Sequence, residues 1–313
     1  MRKVLITGAR GFVGSHLRYS LDLKKISHIS ISSQNNSDEF IQKNINQFTD
    51  WQDVLNDVDT VIHLAAQVHL EKEQNEAIEN SYYEINHQGT INLANQCALK
   101  GIQRFIYLST IKVLGEGIKT SYKADDLYNP QDAYGKSKML AEISLLELAK
   151  KTDMQIVILR TPVIYGPGMR ANFLKLVQLV DKRFPLPLLA VKNQRSVLFV
   201  GNLIEVIYQL LINQHLKKVS VFHVADRESV STPELIKKIA NALNKKPNLF
   251  YCPIFVLKTV AKILGVSDKM DRLVESLVLD VTELQNEFNI TYPYTLEEGL
   301  QLTAKWYRKS QTK

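Results

Sequence analysis

Short apolar runs alternate with helix-period segments along the first half of this chain, and that rhythm constrains its fold more than any other feature. Residues 4–7, 28–32, 60–66, 105–110 and 155–165 read as strands. Residues 15–23, 82–99 and 134–150 read as the helices between them. Strands joined through helices pair in parallel, with helices covering both faces of the sheet. Right-handed crossovers then give an open, doubly wound, Rossmann-like α/β fold whose ligands sit at the carboxyl ends of the strands.

After Gly166-Pro167-Gly168 the rhythm changes. Residues 172–181 read as a helix and 184–187 as a Pro-rich loop. Residues 196–200 and 221–224 read as strands flanking a helix at 203–212, which returns the chain to the main sheet. From residue 232 helices dominate, over 232–243, 254–264, 281–288 and 296–308. The first of them opens on a hydroxyl cap and a Pro, in Ser231-Thr232-Pro233-Glu234. The expected division is residues 1–168 plus about 196–225 as the nucleotide-binding domain. Residues 169–195 plus 226–313 then form a smaller, mainly helical substrate-binding lobe.

The glycine pattern says where a ligand binds. Gly8, Gly11 and Gly14 follow the first strand and open the first helix, as G-x-x-G-x-x-G. This meets the dinucleotide fingerprint only loosely. The physics is shared: a tight turn lets backbone N–H groups approach a pyrophosphate at a helix N-terminus. A nicotinamide site for NAD(H) usually carries an acid after the second strand, to hold the ribose 2′-hydroxyl. Here the chain reads Ile31-Ser32-Ser33-Gln34-Asn35-Asn36, and no acid appears before Asp38. Arg10 lies inside the glycine turn, where a guanidinium suits a 2′-phosphate, and Ser32 adds a hydrogen bond without repelling it. NADP(H) is therefore the favoured cofactor, with NAD(H) the alternative.

Tyr134 and Lys138 are one helical turn apart and share a face. A free phenol titrates near 10, too high for efficient proton transfer at neutral pH. A neighbouring ammonium is expected to lower it. The strand over 105–110 ends in Ser109-Thr110, where either hydroxyl can reach a reacting oxygen. Met139, Ile143 and Leu146 recur at helical spacing and anchor that helix.

Composition removes other classes. The 313 residues are 45% hydrophobic and 23% charged, as in an ordinary globular protein. Cys97 and Cys252 have no disulfide or metal-ligand spacing, so reduced thiols and no metal are expected. The net charge of +7 is dispersed, without a basic-aromatic module, which argues against nucleic acid and for an anionic ligand. No leader of the charged-then-apolar kind opens the chain, and no apolar run is long enough to span a bilayer, so a cytoplasmic location is expected. Residues 252–264 are apolar, with Lys258 and Lys262 interspersed, and 305–313 are basic. Such a helix can lie in a membrane interface. It is read here as a lobe helix packed on the core, without membrane contact.

Taken together, the motifs resemble the extended short-chain dehydrogenases/reductases of the nucleotide-sugar epimerase/dehydratase/reductase group. The resemblance runs through Phe12-Val13-Gly14-Ser15, His63-Leu64-Ala65-Ala66 and Asn86-x-x-Gly89-Thr90-x-Asn92-Leu93. It continues through Leu108-Ser109-Thr110, Tyr134-x-x-x-Lys138 and Arg160-x-Pro162-x-x-Tyr165-Gly166-Pro167. It implies Tyr134, Lys138 and Thr110 as the catalytic set, with Ser109 beside Thr110. It implies Gly8, Arg10, Gly11, Phe12, Val13, Gly14, Ser32, Leu64, Ala65, Ala66, Lys138 and Pro162 around the cofactor. Toward a nucleotide-diphosphate sugar it implies Lys112, Asn172 and Arg195.

The departures are informative. Dehydratases of the family follow the catalytic Thr with Asp-Glu, where this chain has Ile111-Lys112, so water loss is not expected. Many members have an Asn at the position of Val163, so Asn172 is the candidate for that contact, and Arg195 resembles the nucleotide-phosphate arginine. The stretch Ser109-Thr110-Ile111-Lys112-Val113, with Arg195-Ser196-Val197, is similar to enzymes that reduce UDP-4-keto-6-deoxy-N-acetylglucosamine at C4 for surface polysaccharide. Two reactions stay open: NADP(H)-dependent reduction of a 4-keto-6-deoxy sugar nucleotide, and NAD-dependent 4-epimerisation of a UDP-sugar. A redox-sensing binding protein is the other class, but such proteins tend to lose the Tyr or Lys retained here. The resemblance also implies a homodimer through the helices at 82–99 and 134–150.

Overall fold

The computed structural model describes residues 3–34, 37–68, 76–117, 121–213 and 215–311, apart from the side chains of 268 and 269. Asn35 and Asn36 of the expected cofactor corner, and 312 and 313 of the basic tail, lie outside them. The chain divides into two compact units.

The first unit comprises Met1–Gly115, Ala124–Thr161 and Val206–His223. Among its described residues runs a seven-stranded parallel sheet. Its strands are β1 (Lys3–Thr7), β2 (His28–Ser32), β3 (Ile41–Gln42), β4 (Val58–His63), β5 (Arg104–Thr110), β6 (Gln155–Thr161) and β9 (Val219–His223). The spatial order is β3-β2-β1-β4-β5-β6-β9, so the winding direction reverses between β1 and β4. A crevice opens at such a reversal, above the carboxyl ends of the two strands. Successive side chains of a strand point to opposite faces. On one face Leu5, Val61, Phe105, Tyr107, Ile156 and Ile158 pack with Leu93 and Cys97 of α3 (Thr90–Leu99) and with Ala141 and Leu145 of α4 (Ala133–Lys151). Val4, Ile6, Ile62, Ile106 and Val157 alternate with that set and are equally buried. Strands apolar on both faces are what a sandwiched parallel sheet requires. α1 (Phe12–Leu23) follows β1 and buries Val13, Leu17 and Leu21 at helical spacing.

The second unit comprises Glu116–Lys123, Pro162–Glu205 and Val224–Lys313. It holds a two-stranded parallel sheet, β7 (Val163–Tyr165) with β8 (Val197–Phe199). Tyr165 stacks on Phe173 at 5.0 Å between centroids, and Phe199 meets Tyr294 edge-on at 5.0 Å. Asp226 ties this core together by accepting from Phe199 N, Asn202 Nδ2 and the Tyr165 hydroxyl. Its helices include α5 (Ala171–Asp181), the start of α6 (Val200–Ile212), α7 (Thr232–Ala242), α8 (Ile254–Ile263), α9 (Ser267–Val274), α10 (Thr282–Phe288) and α11 (Leu296–Gln311). α7 begins with the capping box expected at Ser231, where Glu234 closes back onto Ser231 N.

Several elements differ from the sequence reading. Residues 155–165 do not form one strand: Pro162 separates β6 from β7, since it offers no N–H to a ladder. The strand read at 196–200 pairs with β7 and does not join the main sheet; β9 takes the place beside β6. The strand read to residue 66 ends at His63. The helix read at 82–99 is an α-helix (α2, Glu76–Tyr82), a π-helical stretch (Tyr83–Gly89) and α3 in succession. β3 and α9 were not foreseen, one being two residues long and the other weakly apolar. α8 packs as a lobe helix through Leu257 and Ala261 alone, and leaves Phe255 and Ile263 exposed.

Candidate functional site

The glycine turn is built by backbone proximity. Gly8 adopts φ +67°, and a Cβ there would lie 2.7 Å from Ala65 N, so the loop after β1 rests on the loop after β4. A Cβ on Gly14 would lie 2.2 Å from Gly8 O. Gly11 N donates to Gly8 O at 2.8 Å, and Ala9 N donates to Ile31 O of β2 at 3.1 Å. Gly11 caps α1 without a side-chain acceptor, so first-turn N–H groups are directed outward beside Phe12 and Val13. Leu64 N and Ala65 N donate to Thr7, fixing residues 64–66 alongside.

Beneath the turn lies a buried polar chain. Thr7 Oγ1 meets His63 Nδ1 at 2.6 Å, and His63 Nε2 meets Thr90 Oγ1 at 2.9 Å. Thr90 gives its own proton to Asn86 O at 2.7 Å. His63 Nε2–H must therefore be the donor toward Thr90, and Nδ1 accepts from Thr7. That tautomer is neutral, and burial, seconded by Lys138, pulls the His63 pKa down to about 3. Asn86 continues the chain to Gln67 O and to Ser137 Oγ, and Ser137 donates to Tyr134 O. β1, β4, the π-helical stretch and α4 are locked in register by these bonds.

α4 presents Tyr134 and Lys138. Its N-cap, Asp132, accepts from Gly135 N at 2.7 Å and pairs with Lys112 at 2.5 Å. Lys112 Nζ also lies 5.9 Å from the Tyr134 ring centre. Lys138 is 2% exposed, and its ammonium stands 4.1 Å from the centre of the Tyr107 ring. Tyr107 in turn stacks on His63. No hydrogen-bond acceptor meets Lys138 among the described residues, so a ligand hydroxyl fits there. Burial lowers the Lys138 pKa to about 7, while Glu142 raises it. The Tyr134 phenol is pushed upward by burial, with Asp132 and Tyr82 adding to the shift. The acidification of Tyr134 expected from Lys138 is thus not what this geometry gives: burial leads the upward shift, and Lys138 is not among the groups that act on the phenol.

Ser109 and Thr110 are neighbours on β5 whose hydroxyls take different partners. Thr110 Oγ1 accepts from Lys112 N, leaving its own proton uncommitted among the described residues. Ser109 donates to Glu142, which is fully buried and also receives Tyr128 OH at 2.9 Å and Arg160 Nη2 at 2.7 Å. Arg160 Nη1 extends to Ala124 O. Sequence reasoning missed Glu142 and Tyr128; the spacing of Glu142, one turn beyond Lys138, was the available signal.

Ser32 is buried at the end of β2, and its Oγ accepts from Gln34 N. Arg10 is exposed at the tip of the turn, 5.4 Å from the Phe40 ring centre, and makes no ion pair among the described residues. Arg18 lies over the same ring but is paired with Glu39. Pro162 is buried just past β6. In the second unit, Asn172 is exposed in the first turn of α5. Arg195 is half-buried, with Nη1 donating to Glu275 O. Burial lowers its pKa, Glu116 opposes this, and Arg272 adds to it. Among the described residues no cluster of His, Cys, Asp and Glu is arranged to hold a metal. No helix there is long and apolar enough to cross a membrane.

A parallel sheet with a glycine turn at its reversal, and a Tyr–Lys pair on the helix beside it, defines a nicotinamide-nucleotide-dependent enzyme. The profile of the NAD dependent epimerase/dehydratase family matches residues 4–225, and the chain belongs to that family, within the extended short-chain dehydrogenases/reductases. The chain is 36% identical to a UDP-glucose 4-epimerase of Vibrio cholerae, covering 100% of this chain and 97% of the relative. It is 28% identical to the N-acetyl-alpha-D-glucosaminyl-diphospho-ditrans,octacis-undecaprenol 4-epimerase of Escherichia coli O157:H7, over 97% of this chain and 94% of that one. The fold matches UDP-glucuronic acid 4-epimerase from Bacillus cereus in complex with NAD, at a TM-score of 0.80 and 22% identity, covering 98% and 96% of the two chains.

Proposed function

We propose that this enzyme reduces the C4 ketone of a UDP-linked 4-keto-6-deoxy sugar with NADPH. The observation that carries the reading is the corner at the end of β2. Ser32 and Ser33 stand at the end of β2, where a carboxylate would hold an unphosphorylated ribose, and Arg10 of the glycine turn is exposed and makes no ion pair among the described residues. An anionic 2′-phosphate suits that corner, and a phosphorylated donor suits a net reduction.

When bound, the nicotinamide nucleotide supplies hydride to the sugar C4. The chain's own residues do the rest. Tyr134 donates a proton to the developing alkoxide, and Thr110 donates a hydrogen bond to the same oxygen. Lys138 offers its unused donors to the nicotinamide ribose, fixing which face of the ring meets the sugar. Ser109 works one step back, holding Glu142 and so the pitch of α4. The fixed register of Thr7, His63, Asn86 and Ser137 orients Tyr134 without titrating at neutral pH. Lys112, Asn172 and Arg195 are assigned to the sugar diphosphate on charge and hydrogen-bonding capacity.

The second reading is an NAD-dependent 4-epimerase, favoured by what the Vibrio cholerae and Escherichia coli relatives are named for. The same Tyr, Lys and Thr serve it, with hydride removed and returned. Purified protein with a UDP-4-keto-6-deoxy sugar and NADPH separates the two. Stoichiometric loss of NADPH absorbance is expected. Interconversion of UDP-sugars with no net change in coenzyme would overturn the reductase reading.

A further inference from the structure

We propose that the second unit docks on an anionic lipid bilayer through the outward face of α8 and the paired segments beside it. The surface is assembled by hydrogen bonds: Leu186 N donates to Asn248 O, Phe250 N to Leu186 O, and Leu189 N to Phe250 O. Asn248 Nδ2 adds a bond to Arg183 O. α8 starts four residues after Phe250 and turns Leu257 and Ala261 inward, one helical turn apart. Phe255 and Ile263 fall on the opposite side and are 72% and 78% exposed. Phe184, Phe250, Tyr251 and Leu264 are exposed with them. Apolar side chains exposed singly need no explanation, but Phe250, Tyr251, Phe255, Ile263 and Leu264 are all exposed within one short stretch of chain.

Charge chooses the occupant. Residues 182–192 and 244–267 contain no carboxylate. Lys245 is paired with Asp181, and Lys258 with Asp271 and Glu275. Lys182, Arg183, Lys246 and Lys262 are exposed and make no ion pair among the described residues. A second copy seated here about a two-fold axis would bring those cations against their own equivalents. Phospholipid headgroups are complementary to them. Aromatic rings and lysine stems suit the boundary between headgroups and acyl chains. The inference does not depend on which sugar reaction the first unit performs.

The test is flotation of the full chain with vesicles of phosphatidylglycerol and phosphatidylcholine, against pure phosphatidylcholine. Protein is expected to float with the anionic vesicles, less with the neutral ones, and less again at high salt. Lys246→Glu with Lys262→Glu is expected to lower partitioning by at least about tenfold. Phe255→Ser with Ile263→Ser is expected to abolish it, with thermal unfolding and turnover of soluble substrate unchanged, since both side chains already face water. Wild-type protein that stays at the bottom of the gradient, or a Phe255/Ile263 variant that floats undiminished, overturns the proposal. So does a dimer in gel filtration that dissociates on the Phe255/Ile263 change, which would make the face an interface between copies.

Discussion

Lys138 is an ammonium held between two opposed influences, burial pulling it toward neutrality and Glu142 toward charge. Removing the carboxylate's charge tests the balance. In Glu142→Gln, Lys138 loses protons at lower pH, so the alkaline limb of the kcat/KM profile moves down. The same change leaves buried Arg160 without its counter-charge, at a cost of about 3–5 kcal/mol in denaturant titration. Tyr134→Phe is expected to reduce turnover by roughly 100-fold or more while coenzyme affinity persists. A phenylalanine variant near the wild-type rate would take Tyr134 out of the proton path. His63 gives a pH signature. Its folded pKa of about 3 lies below the ordinary 6.5, so the unfolded chain binds the extra proton first. The stability it contributes is full above 6.5 and is lost as pH falls toward 3. Urea midpoints measured across that window should decline, and His63→Gln should flatten the decline. The Tyr–Lys spacing was legible in the sequence. The direction of the Tyr134 shift was not, because it depends on how deeply the phenol is packed, and spacing carries no depth.

At the scale of elements, α4 is the part on which the site depends. Its N-cap carboxylate also holds Lys112, so one side chain both starts the helix and restrains a cation beside Tyr134. Asp132→Ala should cost about 1 kcal/mol of stability. It should also change KM for the sugar nucleotide through the lost Lys112–Asp132 pair, whereas a purely structural cap would leave KM alone. The helices and the strong strands were readable because their apolar period runs for several turns or alternates cleanly. Misreadings cluster where backbone hydrogen bonding overrides hydrophobicity. Residues 155–165 are mostly apolar, yet Pro162 ends the ladder. Residues 82–99 have helical periodicity, which does not reveal a π-helical stretch. Within that stretch Gly89 admits no Cβ, since one would sit 2.9 Å from the backbone at Ile45 and Asn46.

For the molecule as a whole, the doubly wound architecture follows from right-handed crossovers, and it was legible from the alternation of strands and helices. Which strand completes the sheet was not: residues 197–199 and 219–223 both read as short strands, and only tertiary pairing distinguishes them. Ligand linkage tests the cofactor assignment on the intact protein. A nucleotide that binds only the folded state raises stability, by about 2.7 kcal/mol at one hundred times its Kd. NADPH should therefore raise Tm more than NADH at equal concentration, and the opposite order would remove Arg10 from that role.

The last strand to reach the sheet carries a consequence for biosynthesis. β9 is made some sixty residues after the β6 it pairs with, and Arg104 clasps the carbonyls of Leu210, Leu211 and Asn213 only once those residues exist. Until the ribosome has passed His223, β6 presents an open row of amide and carbonyl groups able to recruit a neighbouring nascent chain. Translation arrested before that residue should yield a sticky fragment, because the β6 edge then has no strand to cover it.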